Sequence, residues 1–366
     1  MVLASDVLFA TMDGGGNVPP LLAVASAVKA AGHRVRVAGH ACLADDVTRA
    51  GLPFEPYRHA RPWDSAREQN PLKWVPMFND RNIADEVDRM CAGRRPDVAV
   101  VDCMLLPPLQ TLQRNEIRTV VFSHTVRGYL NRLHRYGAGT AALLYGYRVG
   151  KLWAAADLNI VATVERLDPD SRRRQPPNVR WVGAVASGQP AVPSGDRPVV
   201  LVSMSTNGFP GQRRTLARVI EALANLPVRG VVTTGGVIDP AELPAAPNVE
   251  IAGYVDHASL MTQCALLVGH GGHATTVRAL AHDIPVLVIP ASALSDQRVI
   301  GAAVARAGAG VVRPRSSSVS ELSASIGALL NEPRWRRAAS ELGREIRGRD
   351  AAGDAADLII QLASAS

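Results

Sequence analysis

The sequence predicts an α/β protein built from two doubly wound halves, and three observations predict it. Short apolar runs alternate with helical patterns along the chain, the mark of parallel strands covered by helices. A stretch rich in Pro, Gly and Ser, Ser187–Pro198, interrupts that alternation near the middle. The 366 residues also exceed what one hydrophobic core usually organises, about 250–300.

In order, Val7–Thr11 reads as a strand, Asn17–Ala31 as a helix stopped by Gly32, and Val35–Ala38 as the next strand. Asn17 stands where an N-cap belongs, with Pro19 and Pro20 in the first turn. Val98–Val101, Val120–Ser123 and Asp157–Ala162 read as the remaining strands of the first half. Val199–Ser203, Gly230–Thr233, Val249–Ile251, Leu266–Val268 and Ile284–Ile289 supply the second. From Pro333 onward the chain reads as Arg- and Ala-rich helices. The expected division is a first domain over 1–186, a linker over 187–198, a second domain over 199–345, and a last helix over 346–366 packing back on the first. Ligands of such sheets bind at strand carboxyl ends, so a cleft between the domains is the expected site.

Composition narrows the function classes. With 47% hydrophobic and 20% charged residues, disorder, collagen and coiled coil are excluded. The net charge of +7 raises the question of an anionic partner. Only Lys29, Lys73 and Lys151 are lysines, so arginine supplies the rest of the 40 basic residues. Yet the runs at 172–174 and 334–337 are remote from each other and aromatics are 4%, which argues for solvated faces rather than a nucleic-acid surface. Cys42, Cys91, Cys103 and Cys264 form no CxxC pair, so neither zinc nor a disulfide framework is indicated, and a reducing cytoplasm is expected. No apolar run reaches membrane-spanning length and no signal-peptide pattern opens the chain.

Two loops carry the chemistry. Met12–Pro20 is Gly-rich, but Pro19 stands in the third glycine place of a dinucleotide fingerprint, and Gly39-His40 follow the second strand in place of an acid. The loop therefore reads as one that lets a ligand approach the backbone closely. The second loop, Gly269-His270-Gly271-Gly272-His273, opens a helix near Thr275 and Thr276. Glycine amides, hydroxyls and the positive end of a helix make an anion site, to which His270 can donate without a metal. Asp296 and Gln297, at the end of the next strand, suit sugar hydroxyls. A diphosphate site beside a hydroxyl-reading pair points to a nucleotide sugar.

These residues resemble the donor motif of family-1 nucleotide-sugar glycosyltransferases, in the bacterial group that decorates antibiotics and other specialised metabolites. The motif runs HGGxGTTxxAL, a proline, then DQxxNAxxVxxxGxG. His270, Gly271, Gly272, Thr275, Thr276, Ala279, Leu280, Pro290, Asp296, Gln297, Val304, Gly308 and Gly310 match it, while Ala274 and Ile300 depart from it. Val18, Pro20, Leu21, Leu22 and Gly32-His33 match the N-terminal phrase, and Gly253–His257 resembles the nucleobase segment.

The resemblance implies a GT-B fold, two Rossmann-like domains facing each other across a cleft. It implies His270, Thr275 and Thr276 on the diphosphate beside Gly272, with Ser205 and Thr206 also there. It places Asp296 and Gln297 on the sugar, Val255 beside the base, and Thr234-Gly235-Gly236 in the same cleft. His273 falls at a variable position and reads as a donor contact or a helix cap.

On the acceptor side the resemblance puts a catalytic histidine where this chain has Asn17, and an aspartate at Asp102. An amide does not accept a proton near neutral pH. The candidate bases are therefore Asp102 first, then His124, then Asp13. Trp63, Trp74, Met77 and Phe78 read as a lid over the acceptor or a packed cluster; Tyr129, Tyr136, Tyr145 and Tyr147 read as pocket lining or core. Asp168-Pro169-Asp170 resembles a metal-binding DxD but reads as a solvated loop, so no metal and no other cofactor is expected.

The expected function is inverting, metal-independent transfer of a hexose or deoxyhexose from UDP or dTDP to a hydrophobic small molecule, a polyketide or aromatic natural product. The linkage is O-, C- or N-. The alternatives are a non-catalytic nucleotide-sugar-binding or activator homologue and a nucleotide-sugar epimerase. The expected partners are those two small molecules, with a homodimer as one assembly open to the chain and no nucleic acid or membrane.

Overall fold

The computed structural model describes residues 4–68, 70–193, 195–205, 208–253 and 255–365. Its contacts divide the chain into two units, 1–185 with 350–366, and 186–349.

The first unit runs β1 (Asp6–Ala10), α1 (Val18–Ala30), β2 (Arg34–Gly39), α2 (Ala44–Arg49), β3 (Phe54–Pro56), α3 (Trp74–Phe78) and α4 (Arg81–Gly93). It continues through β4 (Val98–Asp102), α5 (Leu106–Arg114), β5 (Arg118–Ser123), α6 (Arg127–Tyr136), α7 (Ala138–Leu144), α8 (Val149–Ala155), β6 (Leu158–Val161) and β7 (Val179–Trp181). Its seven strands form one sheet in the order β3-β2-β1-β4-β5-β6-β7. All the pairings are parallel.

β1 and β4 are buried at every residue, which is why they read as unbroken apolar runs rather than alternating ones. Successive side chains still divide between two faces. Leu8, Ala99 and Val101 pack with Ile83 and Val87 of α4, Leu109 of α5 and Trp153 of α8. Val7, Phe9, Val98 and Val100 pack with Leu21 and Val24 of α1. The C-terminal helix α15 (Ala351–Ser364) adds Ala355, Ala356 and Ile359 to that second layer. The Arg118 guanidinium also donates to the Leu362 carbonyl at 2.9 Å.

The second unit runs β8 (Val199–Ser203), α9 (Gln212–Ala224), β9 (Arg229–Thr233), β10 (Val249–Ala252), α10 (His257–Met261) and β11 (Cys264–Gly269). Then come α11 (His273–Ala281), β12 (Val286–Val288), α12 (Gln297–Arg306), β13 (Gly310–Val312), α13 (Val319–Asn331) and α14 (Pro333–Arg347). The sheet order is β10-β9-β8-β11-β12-β13, again with parallel pairings. A capping box between Ser318 and Glu321 opens α13.

Several expectations are corrected here. The edge strands β3, β7 and β13 have three residues each, too few to show a period. The stretch read as a linker is hydrogen-bonded to the second unit. Ala191 N–H donates to the His282 carbonyl at 2.9 Å, and Val192 N–H to that of Thr262 at 2.8 Å. The Asn17 side chain does not cap α1; what it does instead is described below.

Burial lowers the pKa of His40, His134 and His270 from 6.5 to about 4. Each is therefore neutral in the fold at pH values where the unfolded chain is protonated. Between 6.5 and about 4 the unfolded state binds more protons, so stability falls as pH drops through that window. The urea midpoint should decline steadily from pH 7.5 to pH 4.5. A midpoint that stays level would contradict the burial of these rings in their neutral form.

Candidate active site

In each sheet the strand order reverses at one place, between β1 and β4 in the first and between β8 and β11 in the second. Ligands of open α/β sheets bind at such points, beyond the strand carboxyl ends. The chemistry-bearing residues gather there in both units.

In the first unit the Gly-rich loop follows β1, Asp102 ends β4, and His124 follows β5. Asn17 is 1% exposed. Its Nδ2 donates to the Met12 carbonyl at 2.9 Å and to Asp102 Oδ2 at 2.8 Å, and its Oδ1 accepts from Gly14 N–H at 2.9 Å. The side chain thus ties the loop to the end of β4. Asp102, the first-named base candidate, is 0% exposed. Its Oδ1 accepts from Met104 N–H at 2.9 Å while Oδ2 accepts from Asn17. Burial and these partners leave it no open face toward an acceptor. His124 Nδ1 lies 3.7 Å from the same Oδ2, and the histidine side chain is 20% exposed.

Both carboxylate oxygens of Asp13 are engaged by backbone amides. Its Oδ1 accepts from Gly15 N–H at 3.0 Å and Oδ2 from Ser65 N–H at 2.6 Å, while its carbonyl takes Trp63 Nε1–H at 2.7 Å. It clasps the 58–67 segment to the Gly-rich loop. Two acids that sequence reasoning missed secure the same segment. Glu86 accepts from the N–H groups of Arg58, His59 and Ala60, and Asp80 from that of Arg61. Burial alone would raise the pKa of Glu86, but the three amide donors outweigh it and hold the carboxyl below its usual value. No sequence signal marks such a clamp, because its partners are backbone amides 19 to 28 positions away. Glu86→Gln should lower the thermal midpoint by a few degrees, about 1–2 kcal/mol for weakened charge-assisted bonds. An unchanged melting curve would contradict the clamp.

The aromatic segment is a packed cluster. Trp63 and Trp74 meet edge to face at 4.9 Å, and Phe78 tilts against Trp74 at 5.6 Å, all three half-buried on the core of the unit. The tyrosines do not make one lining: Tyr147 is buried, whereas Tyr136 is 76% exposed. The DxD-like string is no solvated loop either. Asp168 accepts from the backbone N–H groups of Arg127, Gly128 and Asp170 and from Trp181 Nε1. It is a knot that fixes the start of α6.

In the second unit, α11 begins directly after the loop that ends β11, with Gly272 as N-cap. Its first amides lack intrahelical partners and form the positive end of the helix. Gly271 has φ +87°, and a Cβ there would meet Val288 Cγ1 at 2.5 Å. A Cβ on Gly272 would meet His270 Nε2 at 2.4 Å. The imidazole therefore lies over the glycine, at the mouth of the helix. Burial lowers the His270 pKa to about 4, against a smaller opposing effect of the Ser203 carbonyl, so the ring is neutral near pH 7.

Thr276 is buried and Thr275 half-buried in the first turn, and His273 is buried as the first helical residue. Ser205 is buried beyond β8. Thr234, beyond β9, has a buried hydroxyl with no hydrogen-bond partner among the described residues, and Gly235 follows it with φ +63°. Gln297 Oε1 accepts from Ala291 N–H at 2.7 Å and Ser292 N–H at 3.0 Å, pinning the loop that precedes α12. Only its amide nitrogen remains for a ligand. Asp296 is the N-cap residue of α12, and Val255 is half-buried ahead of α10. Thr206 lies outside the described residues.

Comparison with known proteins places this architecture. Residues 217–362 match the family described as Erythromycin biosynthesis protein CIII-like, C-terminal domain. The chain is 28% identical, over 98% of its own length and 99% of the relative's, to 4'-demethylrebeccamycin synthase of Lentzea aerocolonigenes. It is 30% identical to a PGL/p-HBAD biosynthesis glycosyltransferase of Mycobacterium tuberculosis, over 83% of its own length and 64% of the relative's. Among solved structures, the glycotransferase of kitacinnamycin superposes with a TM-score of 0.82 at 23% identity, covering 98% of this chain and 99% of that one.

Two parallel Rossmann-like sheets with these neighbours define a GT-B glycosyltransferase, a hexosyl-transferring enzyme. These similarities agree with the resemblance of the donor motif to the family-1 nucleotide-sugar glycosyltransferases of bacterial antibiotic biosynthesis. Among the described residues, no helix is long and apolar enough to cross a membrane.

Proposed function

We propose that this enzyme transfers a sugar from UDP or dTDP to a hydrophobic natural product, with inversion at the anomeric carbon and without a metal. The observation that carries the reading is the start of α11, where the amides of the first helical turn, two threonines and the neutral His270 surround one small region. Such a constellation stabilises the charge that builds on a departing nucleoside diphosphate. The acceptor attacks the face opposite that leaving group, which inverts the centre. Asp168 supports the metal-free reading: each of its carboxylate oxygens already takes two N–H donors. The names of the matching family and of the rebeccamycin relative support a natural-product acceptor. An O-glycoside is the reading preferred over C- and N-linkage, since a hydroxyl is the group a neutral base activates most simply.

Thermal unfolding with UDP, dTDP or ADP tests the donor half. UDP or dTDP should raise the midpoint by several degrees and ADP by less. Equal, negligible shifts for all three would refute it.

A further inference from the structure

Asp102 and His124 sit at the ends of neighbouring strands, β4 and β5. His124 Nδ1 is buried, makes no hydrogen bond among the described residues, and lies 3.7 Å from Asp102 Oδ2. The exposed fifth of the ring is therefore not its Nδ1 edge. Asn17 donates to the same oxygen at 2.8 Å and is itself fully buried.

We propose that His124 is the general base of the transfer, that Asp102 orients it, and that Asn17 is a positioning residue for the Asp102 carboxylate. This rests on the glycosyltransferase reading above. A carboxylate at Nδ1 fixes the tautomer with the proton on Nδ1 and the lone pair on Nε2, the logic of hydrolase triads. The 3.7 Å separation is long for a hydrogen bond, as such contacts often are before substrate binds.

The remaining neighbours fit this role. Burial, and next the charge of Asp102, push the Cys103 thiol well up, so the thiolate that a metal would need at Asp102, Cys103 and His124 is disfavoured. The Tyr57 phenol, in the field of Asp102 and Glu86, is also pushed up, chiefly by burial. Arg127, within electrostatic reach of Cys103, remains a cation although burial lowers its pKa.

The step balances as follows. Nε2 takes the acceptor hydroxyl proton as the acceptor oxygen bonds the anomeric carbon. The bond from that carbon to the diphosphate oxygen breaks, and its electron pair leaves on the nucleoside diphosphate. The imidazolium, faced by Asp102, returns its proton to solvent.

The test uses the full-length enzyme, the better of UDP-glucose and dTDP-glucose, and a series of phenols and aliphatic alcohols. His124→Gln should lower kcat by about 10²–10⁴-fold for alcohols and weakly acidic phenols. The loss should shrink for phenols acidic enough to ionise unaided, which a merely structural role would not produce. The ascending limb of the kcat–pH profile should disappear in His124→Gln and in Asp102→Asn, with protection by nucleotide unchanged. Asn17→Ala should move that limb to higher pH, because Asp102 loses a donor. Wild-type rates and an intact limb in both His124→Gln and the smaller His124→Asn would overturn the assignment alone. A wild-type enzyme that binds nucleotide and glycosylates nothing would overturn it together with the functional reading.

Discussion

Replacing His270 with alanine is expected to lower kcat/KM for sugar transfer by about 10²–10³-fold, the usual cost of removing one donor to developing negative charge. The imidazole is neutral, so the loss reflects a directed N–H rather than a point charge. It should therefore be nearly constant from pH 6 to pH 8, a range well above the lowered pKa of about 4. Initial rates with a nucleotide sugar at several pH values check it. Turnover within threefold of wild type would remove His270 from the donor site.

The second large effect belongs to a residue with no side chain. In Gly272→Ala the new Cβ would lie 2.4 Å from His270 Nε2, so the imidazole has to swing away from the helix mouth. The glycine has φ −62°, which alanine adopts without strain. Folding should persist, while transfer falls by about 10²-fold through a misplaced group. Gly271→Ala makes a contrast: φ +87° and the approach to Val288 and the Gln297 carbonyl should destabilise the unit itself. The double variant His270→Ala/Gly272→Ala should be no worse than His270→Ala, because both changes remove one interaction. Rates and melting curves for the four variants decide this. Additive losses in the double variant would mean that Gly272 acts independently of the histidine.

Much of the architecture was legible because central parallel strands announce themselves. β1, β4 and β8 are buried at every residue and consist mostly of apolar side chains. The three-residue edge strands left no such trace. The donor loop was legible because its function depends on local spacing: His270, Gly271, Gly272, Thr275 and Thr276 lie within one turn and one helix start. The acceptor side depends on contacts between residues far apart in the chain. Asn17 meets Asp102 across 85 positions, and Asp13 meets Ser65 across 52. Reading Asn17 as a helix cap was reasonable from its place before Pro19 and Pro20, yet its amide bonds the loop and Asp102 instead. Asp102 and Asp168 followed the same pattern. An acid at a strand end or in a Pro-rich connector looks available in sequence, and only the fold shows which backbone amides it serves.

The proposed reaction joins a sugar to a small hydrophobic acceptor with inversion. The most direct measurement incubates the enzyme with an α-linked UDP- or dTDP-sugar and an aromatic acceptor panel, then determines the mass and anomeric configuration of the products. The expected product is the acceptor heavier by one hexosyl or deoxyhexosyl unit, β-linked, with one nucleoside diphosphate released per glycoside. An α-linked product would contradict the inverting mechanism, and conversion of the nucleotide sugar without any acceptor gaining mass would contradict the claim itself.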